Sequence, residues 1–216
     1  MLKKKEPRVS FGLSQLAETF KLEINLKGEC TLLENWLTAS YSFTDFETQL
    51  LEELYLDIEA DGNYWNEEEL KIEMIGLMFR IAKVKVPNKI KVFYERDISA
   101  TVENYNLGVI SDCLVATPMP YNTPKLPYFF LQEYKKGRGE AKDPEAQMLT
   151  AMLIAQELNK DGKPIFGSYL FGSRWTFVTL IGKRYCSSKE FNAAEKPDFI
   201  HIISILRKLK ELILNR

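Results

Sequence analysis

The 216-residue sequence predicts an α/β fold, a mixed central sheet flanked by helices. Three observations carry this. Hydrophobic spacing changes from helical to alternating near residue 89. Residues 128–135 (YFFLQEYK) form a strand that is apolar on both faces at its start, as a central strand covered by helices requires. The helical segment that follows is apolar almost all round, so it belongs against a sheet.

Taken in order, the first ten residues are basic and read as a frayed terminus. Leu22, Ile24 and Leu26 alternate with polar residues in strand fashion, whereas Leu32, Leu33, Trp36 and Leu37 have helical spacing. Thr44-Asp-Phe-Glu47 is a capping box, in which each end residue satisfies the other's main-chain N–H. It opens a helix to about Ile58, which Asp61-Gly62-Asn63 ends. A second helix runs from about Asn66 to Ala82, with Leu70, Met74, Leu77, Met78 and Ile81 as its buried stripe.

Residues 89–94, 98–103 and 107–116 then read as three short strands, with turns at 95–97 and 103–106. Four prolines between 117 and 127 exclude regular structure there. After the 128–135 strand, Gly137-Arg-Gly139 is a turn, and Asp143-Pro144 supplies the N-cap and first position of a helix reaching about Asn159. Residues 165–170 and 175–181 form a hairpin across Gly172-Ser173. Pro197-Asp198 opens a last amphipathic helix carrying Ile202, Ile205, Leu206, Leu209 and Ile213. The division expected is a mostly helical extension over 1–63 packed on a core domain over 64–216.

Composition narrows the chemistry. One histidine, His201, excludes His-rich metal centres and weighs against Ser–His or Cys–His mechanisms. Three scattered cysteines, Cys30, Cys113 and Cys186, predict neither a disulfide framework nor a zinc site; Cys113 and Cys186 read as small core residues. With no 18-residue apolar run and no signal-like start, a soluble, cytoplasmic protein without membrane contact is expected. The net charge of −1 conceals an asymmetry. Residues 45–73 hold eleven acids and one base (−10), which leaves 28 bases and 19 acids (+9) elsewhere. Bases are densest at Lys135, Lys136, Arg138 and Lys142, and at Arg207, Lys208 and Lys210. A basic surface beside an acidic one is compatible with nucleic-acid binding.

Two acids stand out because apolar runs surround them: Asp112, between Val109-Ile110-Ser111 and Cys113-Leu114-Val115, and Glu133, which closes Phe129-Phe130-Leu131-Gln132. A carboxylate inside a buried strand costs several kcal/mol unless a cation or hydrogen bonds satisfy it. Strand alternation sets Lys135 on the face of Glu133. If Asp112 lies on a neighbouring strand facing the same way, two carboxylates and an ammonium converge, a set suited to Mg²⁺.

The order of an acidic helix, a β-meander bearing Asp112, a strand ending in Glu133-Tyr-Lys135 and a helix resembles the PD-(D/E)xK, restriction-endonuclease-like superfamily. The resemblance covers residues 64–181. Within it, Trp65-Asn-Glu-Glu-Glu-Leu-Lys71 is similar to the opening helix in the nuclease segment of type I restriction-enzyme motor subunits and related bacterial proteins. It implies a restriction-endonuclease-like core and hydrolysis of DNA phosphodiesters with Mg²⁺, or Mn²⁺ in its place. Asp112, Glu133 and the backbone carbonyl of Tyr134 would be ligands, and Lys135 would position or activate the water. Ser111 stands where the nominal motif has proline.

Two further site residues follow from the resemblance. Glu67 falls about 40° from the centre of the second helix's buried stripe, nearer than Glu73 or Glu69. Gln147 lies one turn into the helix after Lys135 and matches a glutamine of recombination-type exonucleases. DNA is the expected partner, and a homodimer or a partner protein is compatible with the sequence. The alternative expectation is a catalytically inactive fold of this type that binds nucleic acid or protein. A third is an unrelated α/β protein in which Glu133 and Lys135 form only an ion pair.

Overall fold

A computed structural model describes residues 8–25, 30–136 and 143–216. Their elements, in chain order, are α1 (Leu13–Thr19), β1 (Glu23–Ile24), α2 (Thr31–Leu37), α3 (Asp45–Asp61) and α4 (Glu67–Glu69). A π-helical segment, Leu70–Ile75, runs from α4 into α5 (Gly76–Ile81), followed by β2 (Lys91–Val102), β3 (Tyr105–Met119), β4 (Thr123–Lys135) and α6 (Pro144–Asn159). Then come β5 (Ile165–Phe171), β6 (Arg174–Ile181), β7 (Arg184–Ser187), β8 (Phe191–Asn192) and α7 (Lys196–Leu214). The described residues form an eight-stranded mixed sheet in the order β1-β7-β6-β5-β4-β3-β2, with β8 branching from β6. β4 and β5 are parallel, as are β1 and β7; the other pairs are antiparallel.

Helices cover both faces. Against one, α1 and α6 pack on Phe93, Leu114, Leu131, Ile165 and Val178. Against the other, α2, α3, α5 and α7 pack on Phe130, Tyr134, Phe166 and Phe177, with Trp36 edge-on to three of these rings. Residues before 64 therefore share both cores, and Glu23–Ile24 adds a strand to the sheet edge. α6 approaches closely because residue 167 is glycine: a Cβ there would lie 2.8 Å from Met148 Sδ and 3.0 Å from Val178 Cγ2. Among the described residues no helix is long and apolar enough to cross a membrane.

Several local signals hold. Thr44 and Glu47 form the expected capping box, and Asp143 caps α6 by accepting from the N–H groups of Glu145 and Ala146. The 165–171/174–181 hairpin and the last helix also form where expected. The turn at Gly137-Arg-Gly139, Leu26 of the alternating segment, and Arg138 and Lys142 of the basic cluster lie outside the described residues.

Five expectations are corrected. Residues 8–10 are tied down rather than frayed: Arg8 pairs with Asp97 at 2.7 Å and Val9 bridges Leu107. In the second helix Leu77 is 38% exposed while Ile75 and Phe79 are buried. The π-turn adds a residue per turn there and rotates the buried stripe away from the 3.6-residue expectation. The prolines at 118 and 124 sit within β3 and β4, paired with each other. Pairing of β3 with β2 stops at Ala116 and pairing of β4 with β5 starts at Phe130, so this hairpin arm has open edges where proline costs no ladder hydrogen bond. Cys30 and Cys186 form a disulfide, with Cα atoms 5.7 Å apart and 156 residues between them in sequence; Cys113 is free and buried. Parallel pairing of β1 with β7 brings those two segments together, which sequence spacing does not announce.

The fifth concerns residues 95–97, read as a turn. β2 is continuous through them, in unbroken register with β3 from Tyr94↔Cys113 to Arg96↔Ser111. Glu95 adopts a left-handed φ of 53° in mid-strand. Alternation changes phase there on both strands. On the α6 side the inward residues are Phe93, then Ile98, Ala100 and Val102 of β2, and Leu114 and Ala116, then Leu107 and Val109 of β3. The switch in β3 falls beside Asp112.

Candidate metal-dependent active site

β4 carries Glu133 and Lys135 to its C-terminal end, beneath the N-terminus of α6. The β3–β4 ladder ends at Cys113↔Gln132, so the next positions, Asp112 and Glu133, leave it side by side. In place of a further ladder acceptor, Asp112 Oδ2 accepts from the Tyr134 N–H at 2.9 Å. Glu133 is fully buried beside Asp112, and among the described residues neither carboxylate oxygen has a hydrogen-bond partner. Such a group costs about 1–3 kcal/mol when neutral and more when charged. Burial pushes its acid well above the ordinary carboxylate range, and the Asp112 charge pushes it further, against the opposing pull of Lys135. Burial also raises the acid of Asp112, while the Tyr134 N–H and Lys135 pull it down.

The Lys135 ammonium stands among oxygens. It donates to the Tyr134 carbonyl at 3.0 Å and lies 3.5 Å from Glu67 Oε1 and 3.8 Å from Asp112 Oδ2. Its side chain is only 7% exposed. Glu67 reaches it because Asn66 caps α4 and Glu67 is the first helical residue. Glu69 instead accepts from the Asn66 N–H, and Glu68 is paired with Lys71.

Glu67, Asp112 and Lys135 border a cleft of about 770 Å³ that Glu95, Asp143, Gln147, Arg8 and Gly12 also line, with Glu133 buried outside the lining. The structure thus brings together Asp112, Glu133, Lys135, Tyr134, Glu67 and Gln147. Gln147 faces the cleft with a buried Oε1 that has no donor. Three neighbours escaped the sequence reading. Glu95 was hidden in a supposed turn, although two acids near a base in a strand (Glu95-Arg96-Asp97) gave some signal. Asp143 was read only as a helix cap, and Arg8 only as part of a loose terminus.

The donor chemistry suits a hard divalent cation. Two adjacent carboxylates and a main-chain carbonyl are oxygen ligands of the type Mg²⁺ takes, and the remaining positions would be left to water and phosphate. Both Glu133 oxygens lack a partner, and the Lys135 ammonium marks a point where three oxygens already favour positive charge. Among the described residues no three His, Cys, Asp or Glu side chains are grouped to hold a metal, so the carbonyl and water would have to complete the set. Comparison with protein-family models and with curated proteins finds no match to this chain.

Proposed function

We propose that this chain is a divalent-metal-dependent nuclease with a restriction-endonuclease-like core, hydrolysing DNA phosphodiester bonds in the Asp112–Glu133–Lys135 cleft. The observation that carries this reading is the fully buried Glu133 carboxylate, both of its oxygens unpartnered among the described residues, next to the half-buried Asp112 and beside a sequestered lysine. Asp112, Glu133 and the Tyr134 carbonyl would hold Mg²⁺ or Mn²⁺, which when bound supplies a lowered water pKa and Lewis-acid stabilisation of phosphate charge. Lys135 would orient the attacking water and offset charge developing on the phosphoryl oxygens. Glu67, 3.5 Å from the ammonium, holds it in place from the helix side. Gln147 lines the same cleft and keeps its buried amide oxygen without a donor among the described residues.

The test is nicking of supercoiled plasmid with Mg²⁺, Mn²⁺ or EDTA. Metal-dependent nicking that Glu133→Ala or Lys135→Ala lowers by at least ~10²-fold is expected from loss of a positioned charge or proton-transfer group. Nicking that survives both substitutions or EDTA refutes the assignment. The second reading is a non-hydrolytic binding module of the same fold, favoured by the Lys135 ammonium occupying the Tyr134 carbonyl. Metal-dependent nicking abolished by those substitutions eliminates it.

A further inference from the structure

α4, the π-helical segment and α5 meet the edge strand β2 along a seam, at Lys71 and Glu95, at Gly76 and Tyr94, and around a groove shared by Arg80 and Lys91. At one end, Glu67 and Glu95 line the carboxylate cleft, and Lys71 crosses the seam to Glu95 at 3.1 Å. Midway, the Tyr94 hydroxyl lies 3.7 Å from the point where a Cβ on Gly76 would sit. At the other end the seam opens into a groove of about 330 Å³. Its floor is Gly76, Phe79, Val92 and Tyr94, and its walls are Arg80, Lys83, Lys85 and Lys91, with no acid in the lining. Lys83 is engaged by Glu47 at 2.7 Å, whereas among the described residues Arg80, Lys85 and Lys91 are in no ion pair. Lys91 makes only a ring contact with Phe93. Four cations and no acid in one lining give the groove a local positive charge, which an external anion complements.

Strand spacing sets the distance of the groove from the cleft. Lys91 is four residues from Glu95 along an extended strand, about 13 Å at ~3.3 Å per residue. Each DNA strand carries one phosphate per ~3.4 Å of helix axis, so 13 Å is about four base steps. The acidic helix α3 bounds the groove beyond Arg80 and Lys83, where Glu53 and Asp57 line a neighbouring cleft.

We propose that the groove between α5 and the edge strand β2 is a phosphate track that grips the DNA backbone about four base steps from the cleft. The proposal rests on the nuclease reading for its ligand, but the two fail separately. The measurement is duplex binding by fluorescence anisotropy in EDTA, on a Glu133→Ala background so that no cleavage intervenes, over a salt series. The triple variant Arg80→Ala/Lys85→Ala/Lys91→Ala is expected to lose at least ~10-fold in affinity. Its slope of log K against log salt should be shallower by about 3, one unit per phosphate contact.

A variant removing equal charge elsewhere, Lys160→Ala/Lys163→Ala/Lys183→Ala, should leave the slope unchanged, as should Lys85→Arg/Lys91→Arg. An unchanged slope in the first variant, an equal loss in the distant one, or stronger binding of polyglutamate than of DNA overturns the track. Binding through the groove by a protein that never nicks plasmid upholds the track and refutes the nuclease reading; nicking with a groove-independent slope does the reverse.

Discussion

Replacing Glu133 by Gln tests whether the site is built to hold a cation. The side chain is fully buried with both oxygens unpartnered, and its acid is held well above the ordinary range by burial and by Asp112. A carboxyl whose folded-state pKa exceeds its unfolded value stabilises the fold most below the unfolded value. That contribution is lost as pH rises through the folded one. In EDTA the wild-type protein should therefore lose stability as pH rises above about 4.5, the ordinary value for glutamic acid.

Glutamine has nearly the same shape, cannot ionise, and presents an amide able to donate to Asp112. At pH 8 it removes an uncompensated buried acceptor worth about 1–3 kcal/mol. For a chain of this size each kcal/mol moves the unfolding midpoint by roughly 2–4 °C. Glu133→Gln should thus melt about 2–12 °C above wild type at pH 8 in EDTA, and the gap should close towards pH 4. Adding Mg²⁺ should reverse the order, because saturation at a hundred times Kd stabilises wild type by about 2.7 kcal/mol and the variant has lost a ligand. Differential scanning fluorimetry across pH, with and without metal, reads both effects. A variant that is no more stable than wild type at pH 8, and gains as much from Mg²⁺, would sink the view that Glu133 awaits a cation.

Three other outcomes follow from the scaffold. Gly167→Ala should destabilise by about 1–3 kcal/mol in chemical denaturation and weaken nicking, since the added methyl meets Met148 Sδ at 2.8 Å and pushes α6 away from the cleft it roofs. Glu47 is pushed down to about 2, mainly by hydrogen bonding from Lys83 and then from the Thr44 N–H. A lowered acid stabilises above its unfolded value, so Glu47→Gln should be less stable than wild type at pH 7, with the difference shrinking between about pH 4.5 and pH 2. Cys30→Ser should cost about 2–5 kcal/mol and remove the sensitivity of the unfolding midpoint to dithiothreitol. A midpoint unchanged by either treatment contradicts a stapled β1–β7 edge.

What could be read in advance divides by the range of the interaction. Thr44 and Asp143 declare helix starts through hydrogen bonds to main-chain groups two or three residues away, Pro144 does so through its fixed φ, and those starts are where the sequence places them. The apolar stretch Phe129–Leu131 of β4 and the all-round apolar α6 likewise announce burial, and both are buried. Features that depend on partners remote in sequence gave no such sign. The disulfide needs β1 beside β7, two residues against four, and the alternation around Ile24 names no partner strand. The π-turn at Leu70–Ile75 keeps helical composition while changing the buried face, so Leu77 was assigned inward and Ile75 overlooked. Prolines 118 and 124 argued against strand until the lengths of β2 and β5 showed that their edges were free.

The same distinction explains how the cleft could be half read. Glu133 and Lys135 share a face by strand alternation alone, and Asp112 was marked by the apolar residues around it. Their convergence depends on register, because a shift of one residue in β3 would turn Asp112 to the opposite face. The phase switch at Glu95 and Asp112 governs that register locally. Beyond it Val109 and Leu107 pack inward, before it Leu114 does, and at the switch Asp112 is released from the ladder to accept from Tyr134 N–H. A glutamate at positive φ in a strand centre costs about 1–3 kcal/mol unless its surroundings impose it. Lys71 supplies one such constraint by reaching across from the π-helical segment. The strained residue, the irregular helix and the unpartnered carboxylate therefore meet at one place. Replacing Glu95 by Gly should relieve the strain while loosening Asp112, raising thermal stability and lowering metal-dependent nicking together. A variant that gains stability at undiminished activity would separate the backbone irregularity from the site.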